Sequence, residues 1–216
     1  MIDKLLIFDF DGTIVDSKAV YYSAIEHELM ALGFPRRSVD KTIDLGLSLR
    51  KTLSALRLNF ITNLILKRRI MNQVKEYTTK IKKCKDVDSI KNIDEKKILV
   101  TNSLKEFAIP ILKHLKLKKA FSAIYGADDF SDKEKFIKDY LQKNHIDKKD
   151  CFYIGDRAAD VKLAKKIGCM SVIVSGRCAW NSRKEIMNAN PDFLINDLKN
   201  LKETLVKQGQ PARRTS

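Results

Sequence analysis

The sequence of 216 residues is poor in the residues that build zinc sites and disulfide frameworks. Its four cysteines are scattered, form no Cys-x-x-Cys pair and have no histidine cluster beside them, so both kinds of site are excluded as organising features. We expect the cysteines to be reduced and partly buried, and the three separated histidines to be structural or surface residues. These residues are Cys84, Cys151, Cys169, Cys178, His27, His114 and His145.

Long hydrophobic runs are also missing. No window reaches the roughly 18 uninterrupted apolar residues of a membrane span, and a charged strand rather than a signal peptide occupies the N-terminus. We therefore expect a cytoplasmic protein without a membrane partner. The composition, 44% hydrophobic and 32% charged, is typical of a globular protein with one medium domain or a core carrying an insertion.

The formal net charge of +15 could attract phosphate-rich partners, including nucleic acid. The lysines are nevertheless spread along the chain, and the densest stretches, residues 67–69 and 80–85, contain no interleaved aromatic side chains that would stack on bases. The pattern favours a lysine-rich solvated surface over a nucleic-acid interface.

The chain contains an apolar run at residues 5–8 that ends in Asp9 and Asp11, followed by Gly12 and Thr13. A short apolar run before a glycine turn predicts a buried strand, and open parallel sheets collect reactive groups at the carboxyl ends of their strands. The alternative is that Asp-Gly merely marks a turn. Partners elsewhere in the chain decide between the two interpretations.

Later strands and helices alternate, which predicts an α/β protein with a doubly wound parallel sheet. Residues 16–88 show helical periodicity and no strand, so we predict a helical cap (residues 16–90) inserted into a core formed by residues 1–15 and 91–207. Residues 208–216 are predicted to be a flexible tail. Further strands are expected at 98–100, 122–125, 151–154, 171–174 and 193–195, and helices at 17–32, 48–58, 59–83, 104–115, 133–143, 161–167, 182–189 and 198–206.

The apolar positions of the cap helices indicate which side chains face inward. In the first helix these positions recur mostly three and four residues apart and end with Leu32 before Gly33. The inward candidates of the next two helices are Leu49, Leu53, Leu56, Ile61, Leu64, Ile65, Ile70 and Val74.

Two further predicted strands are followed by polar side chains. Thr101 and Asn102 follow the strand at 98–100, and Asp156 and Asp160 follow the strand at 151–154. Lys133 begins a predicted helix. With DFDGT at 9–13, TNS at 101–103 and GDRAAD at 155–160, the sequence resembles the phosphatase branch of the haloacid dehalogenase superfamily. The motifs occur in the family's order, and the resemblance covers the chain outside the tail. It implies a Rossmann-like core with a helical cap, similar to phosphoglycolate phosphatases.

The resemblance implies a Mg²⁺-dependent phosphatase that acts on a small phosphorylated metabolite. Asp9 is the expected nucleophile, forming an aspartyl-phosphate, and Asp11 the general acid and then base. The implied metal ligands are the Asp9 side chain, the Asp11 backbone carbonyl and the Asp156 carboxylate. Lys133 would balance the charges of nucleophile and phosphate; SDKEKF also offers Lys135, but helix phase favours Lys133.

Phosphoryl oxygens are expected to bind the Thr101 hydroxyl and backbone N–H groups near Gly12 and Asn102. Thr13 and Asp160 are expected to support the metal site; Asp160 would orient the metal's water shell or the motif lysine. The competing interpretation of Asp160 is an acid facing a helix dipole.

The stretch LGLSLRKTL at 45–53 resembles a segment of phosphoglycolate-phosphatase-like caps and makes Arg50 a candidate substrate contact. A surface arginine is the alternative. The sequence leaves open whether the protein is a monomer or a homodimer. Two rival functions also stay open, a phosphomutase of the same fold, similar to β-phosphoglucomutase, and a non-catalytic module that binds phosphate or nucleic acid.

Overall fold

A computed structural model describes residues 4–43, 49–54 and 56–207. Six parallel strands form one sheet in the order β5-β4-β1-β6-β7-β8, which confirms the predicted α/β class. A short antiparallel pair, β2 with β3, lies outside it. The strands are β1 (Leu5–Phe8), β2 (Val15–Asp16), β3 (Lys82–Lys83), β4 (Lys96–Val100), β5 (Ala123–Tyr125), β6 (Cys151–Gly155), β7 (Met170–Val174) and β8 (Phe193–Ile195).

The register of the sheet brings three strand ends together. Phe8, the last residue of β1, lies opposite Leu99 of β4 and Ile154 of β6. All four residues of β1 are buried, as expected for a strand covered on both faces. The residues that follow β1, β4 and β6 therefore emerge side by side at one edge of the sheet.

Core helices cover both faces of the sheet. Leu6 and Phe8 pack into the larger apolar cluster with α5, whereas Leu5 and Ile7 face the opposite cluster with α6 and α7, as strand alternation requires. The core helices are α5 (Lys105–His114), α6 (Lys133–Lys143), α7 (Ala158–Ile167), α8 (Arg183–Asn188) and α9 (Leu201–Lys207).

The cap consists of helices between β2 and β3. The prediction that no strand occurs between residues 16 and 88 was wrong, since β3 pairs with β2 there. β3 consists of two lysines and has no apolar periodicity, so it can be recognised only from its pairing with β2. The cap helices are α1 (Lys18–Ala31), α2 (Arg36–Thr42), α3 (Leu49–Ser54) and α4 (Phe60–Glu76).

The buried face of α4 differs from the predicted one. Leu66, Ile70 and Val74, four residues apart, are buried against α1, which confirms two of the five inward candidates in this helix. Ile61, Leu64 and Ile65 were predicted to be buried but are 68%, 58% and 54% exposed. The first turns of α4 are apolar on several sides, so periodicity alone did not identify the covered face.

Other cap predictions have mixed outcomes. Leu53 is buried and Leu56 partly so, whereas Leu32, predicted to face inward, is 43% exposed. The side chains of Leu49 and Arg50, together with residues 44–48 and the predicted tail at 208–216, lie outside the described residues.

The cysteines are free and buried, and the three histidines are exposed, as expected. Among the described helices, none has the length and apolar character needed to cross a membrane.

Candidate active site

Asp9 lies at the centre of the shared strand edge. Its backbone N–H donates to the carbonyl of Ile154 (2.8 Å) and so extends the hydrogen bonding between β1 and β6 by one residue. Its side chain is buried. Lys133, the first residue of α6, is also buried and donates from Nζ to Asp9 Oδ1 (2.7 Å). Lys135 is exposed, so of the two candidate lysines it is Lys133 that meets Asp9.

Replacing Lys133 with Met should lower kcat by roughly a hundredfold, because one pre-positioned cationic donor is removed from a buried anionic site. The matched variant Lys135→Met should change kcat less than twofold, since Lys135 is exposed on the same helix. Steady-state kinetics with a phosphate ester, the substrate class that the sequence resemblance implies, measure both. Equal losses in the two variants would contradict the assignment of Lys133.

A carboxylate cluster surrounds Asp9. Ligand oxygens of Asp9, Asp156 and Asp160 lie within 4.8 Å of one another, and all three side chains are buried. Burial raises the pKa of Asp156 well above its usual range, and the charges of Asp160 and Asp9 add to this. Thr13 donates to Asp156 Oδ1 (3.3 Å), which places it beside this cluster.

Asp160 lies in the first turn of α7, the helix that follows β6. Its Oδ2 accepts the backbone N–H groups of Asp156 (3.1 Å) and Arg157 (3.0 Å), so it caps α7 as the helix-dipole interpretation requires. It also belongs to the carboxylate cluster. The hydrogen bond of Lys133 goes to Asp9 and not to this acid.

Gly12 has a steric function at this site. Its φ is +81°, and a Cβ there would overlap the Asp156 carboxylate and approach Trp180 Cδ1 to 2.7 Å. Only glycine therefore allows this loop to pass the cluster. The Gly12 N–H donates to the carbonyl of Val15 (2.9 Å), so in this conformation it is occupied within the loop.

Asp11 is held by two hydroxyl groups. Ser17 donates to its Oδ1 (2.6 Å) and Ser103 to its Oδ2 (2.7 Å), while Tyr21 OH lies 3.2 Å from Ser103 Oγ. Burial raises the pKa of Asp11 to about 6, although the two serine hydrogen bonds lower it. Ser17, Tyr21 and Ser103 were not assigned roles from the sequence, where serine and tyrosine carry little specific signal.

Sequence reasoning also missed Arg157 and Trp180. The half-buried guanidinium of Arg157 lies 3.8 Å from Asp9 Oδ2 and from Asp160 Oδ2, and 5.6 Å from the Trp180 ring. The backbone N–H of Trp180 donates to Asp156 Oδ2 (2.7 Å). Arg157 lies within GDRAAD, whereas the only signal for Trp180 was its place in the loop that follows a strand of the sheet.

A cavity of about 540 Å³ lies over these groups, between the core and the cap. Asp9, Asp11, Thr101 and Asn102 line it from the core. Thr101 Oγ1 accepts the N–H of Ser103 (3.0 Å), which leaves its hydroxyl proton to donate to a ligand. The cap contributes lining side chains from α1, α3 and α4: Tyr21, Ile25, Thr52, Lys67 and Met71.

The donor set fits a hard divalent cation. Three buried carboxylates (Asp9, Asp156 and Asp160) face two cationic side chains (Lys133 and Arg157), so negative charge is left uncompensated. Oxygen ligands of this kind suit Mg²⁺ and similar ions. The cavity is thus lined by Asp9, which belongs to a carboxylate cluster that could hold a metal ion, and by the neighbouring carboxyl group of Asp11.

The chain is similar to known proteins. A profile of the family described as haloacid dehalogenase-like hydrolase matches residues 6–174. The phosphoglycolate phosphatase of Vibrio parahaemolyticus is 25% identical over 225 residues, covering 94% of this chain and 96% of that protein. That of Vibrio cholerae is 26% identical, covering 94% and 97%.

Solved structures support the fold. A haloacid dehalogenase-like family hydrolase from Streptococcus pneumoniae superposes with a TM-score of 0.78 at 19% identity, covering 96% of this chain and 98% of that chain. A hydrolase from Pseudomonas syringae gives a TM-score of 0.77 at 20% identity, covering 94% and 98%. The profile match, which spans more than half of the chain, shows that this protein belongs to the haloacid dehalogenase-like hydrolases, as a phosphoric monoester hydrolase similar to the phosphoglycolate phosphatases.

Proposed function

We propose that the protein is a Mg²⁺-dependent phosphatase that hydrolyses a small phosphorylated metabolite through an aspartyl-phosphate on Asp9. The observation that carries the proposal is the placement of Asp9. It is buried at a strand end, bonded to Lys133, and open to the same cavity as Asp11. A nucleophilic carboxylate, a cation and a second acid are what a two-step phosphoryl transfer requires.

In the first step, a carboxylate oxygen of Asp9 attacks phosphorus and the bond from phosphorus to the ester oxygen breaks. Asp11, in its protonated form, gives its proton to the departing alkoxide, which leaves as an alcohol. Lys133 stays bonded to the Asp9 carboxyl group and fixes its orientation. Thr101 donates its hydroxyl proton to a phosphoryl oxygen.

In the second step, a water molecule attacks phosphorus of the aspartyl-phosphate. Asp11, now a carboxylate, takes a proton from that water, so the acid of the first step is the base of the second. The bond between Asp9 and phosphorus breaks, which releases inorganic phosphate and restores both carboxyl groups. The hydrogen bonds from Ser17 and Ser103 hold Asp11 in place for both transfers.

Mg²⁺ would be held by Asp9 and Asp156, with Asp160 beside them and the Asp11 carbonyl as a predicted further ligand. When bound, the cation supplies charge neutralisation between the attacking carboxylate and the phosphate. Gly12 keeps the loop clear of Asp156, and Thr13 and Trp180 orient the Asp156 oxygens.

The substrate proposal follows from the relatives and the cavity. Relatives that match nearly the whole chain are named phosphoglycolate phosphatase, and the cavity of about 540 Å³ lies in the lower half of the range of roughly 300–1,000 Å³ for ligand sites. We therefore propose 2-phosphoglycolate, or a phosphate ester of similar size, as the substrate.

Release of inorganic phosphate from 2-phosphoglycolate and from sugar phosphates, with Mg²⁺ or with EDTA, tests the proposed function. Metal-dependent phosphate release supports it. Isomerised sugar phosphate without phosphate release would instead indicate a phosphomutase. Binding of phosphate or nucleic acid without any turnover would indicate a non-catalytic module.

A further inference from the structure

The cap contributes one cationic side chain to the described lining of the cavity, Lys67 of α4. It lies one turn before Met71, which lines the same cavity, so this stripe of α4 faces the site. On the core side, the charged lining residues are Asp9, Asp11 and Arg157. Because phosphate must contact Asp9, the rest of a bound ester has to extend away from the carboxylates and toward the cap.

Lys67 differs from Arg69 and Lys75, two other basic residues of its helix. Arg69 pairs with the buried Glu28 (2.6 Å), and Lys75 pairs with Glu106 (2.6 Å), so both are used within the fold. Lys67 has neither a hydrogen bond nor an ion pair with any residue in the described part of the chain. Its charge is therefore available to a ligand in the cavity.

We propose that Lys67 determines specificity by binding an anionic group, such as a carboxylate, on the leaving group of the substrate. The proposal rests on the proposed phosphatase function and adds the residue that selects for charge at the far end of the ester. An ammonium group binds a carboxylate by a charge-assisted hydrogen bond. Ile25 and Met71, which line the same cavity, offer no hydrogen-bond partner to a hydroxyl group.

A matched pair of esters isolates this contact. 2-Phosphoglycolate and 2-hydroxyethyl phosphate have the same chain length. The first carries a carboxylate at the position where the second carries a hydroxymethyl group. The ratio of their kcat/KM values should fall about tenfold to a hundredfold in Lys67→Met, because a hydrogen bond between charged groups is lost for one ester alone. Lys67→Arg should restore most of the ratio.

Arg68→Met is the control, since Arg68 is exposed on the same helix and does not line the cavity; it should leave the ratio unchanged. The ratio of dissociation constants for the two esters is also measured by calorimetry in an Asp9→Asn background, where turnover is blocked. A lower preference for 2-phosphoglycolate upon Lys67→Met supports the proposal in either assay.

Unchanged ratios in Lys67→Met, or an equal change in Arg68→Met, would overturn it. Absence of turnover of both esters by the unmodified protein would contradict the phosphatase proposal alone, and the calorimetric ratio would then decide the role of Lys67. Failure of both esters to bind would overturn the assignment of Lys67 as well.

Discussion

Asp9→Asn is expected to lower kcat for phosphate esters by about 10⁴-fold or more, as removal of a catalytic nucleophile does in other covalent mechanisms. An amide is a poor nucleophile, yet its oxygen can still accept the hydrogen bond from Lys133 Nζ. The substitution also removes one negative charge from the buried cluster that contains Asp156 and Asp160. The fold and the cavity should therefore survive the substitution.

The measurements are steady-state phosphate release and the midpoint of thermal unfolding. Asp139→Asn is the matched control, because Asp139 is exposed on α6 and its variant should keep wild-type kcat. Incubation with an ester labelled on its phosphoryl group should leave label on the unmodified protein after acid quench and none on Asp9→Asn. More than a tenth of the wild-type kcat in Asp9→Asn would refute Asp9 as nucleophile.

The sequence allowed the site's main parts to be located because they follow a general rule of parallel sheets. Asp9, Thr101 and Asp156 each follow a short apolar run, and such runs become buried strands whose carboxyl ends meet. The strand register then determines that these residues are neighbours. Lys133 could be placed by helix phase, because α6 is amphipathic and has a definite buried face.

Features that depend on contacts between distant segments could not be predicted. Ser103 and Ser17 meet at Asp11 only because the loop after β4 and the start of α1 converge there. Arg157 and Trp180 are brought together across the loops after β6 and β7. No spacing in the sequence encodes either contact.

The exposed start of α4 was mispredicted for a related reason. Ile61 and Ile65 have the composition of a buried face, but burial is decided by what packs against them. Local periodicity gives the phase of a helix only where its apolar residues are confined to one side. In α4 that condition holds only from Leu66 onward.

The position of Asp11 connects the cap to the proton-transfer chemistry. Ser17 directly precedes α1, and it donates to Asp11 Oδ1. Tyr21 of the same helix contacts Ser103, which donates to Asp11 Oδ2. The first turn of the cap and the loop after β4 therefore hold this carboxyl group jointly, so its orientation depends on how the cap is seated.

Asp11→Asn should lower kcat for alkyl phosphate esters by about 10²- to 10⁴-fold, because the leaving alkoxide no longer receives a proton. With 4-nitrophenyl phosphate the first step should be far less affected, since nitrophenolate leaves without protonation. The second step still lacks its base, so aspartyl-phosphate should accumulate. The expected result is a burst of about one nitrophenolate per active site, followed by slow turnover.

Rapid-mixing absorbance measures the burst, and Asp139→Asn again provides the control with unchanged kinetics. Ser103→Ala should produce a smaller loss in kcat and no burst, because the Asp11 carboxyl group remains and still accepts from Ser17. Equal losses for alkyl and nitrophenyl esters without a burst would show that Asp11 does not transfer protons. Since Asp9 is intact in Asp11→Asn, a burst would also separate the two roles: one carboxyl group forms the covalent bond and the other moves the proton.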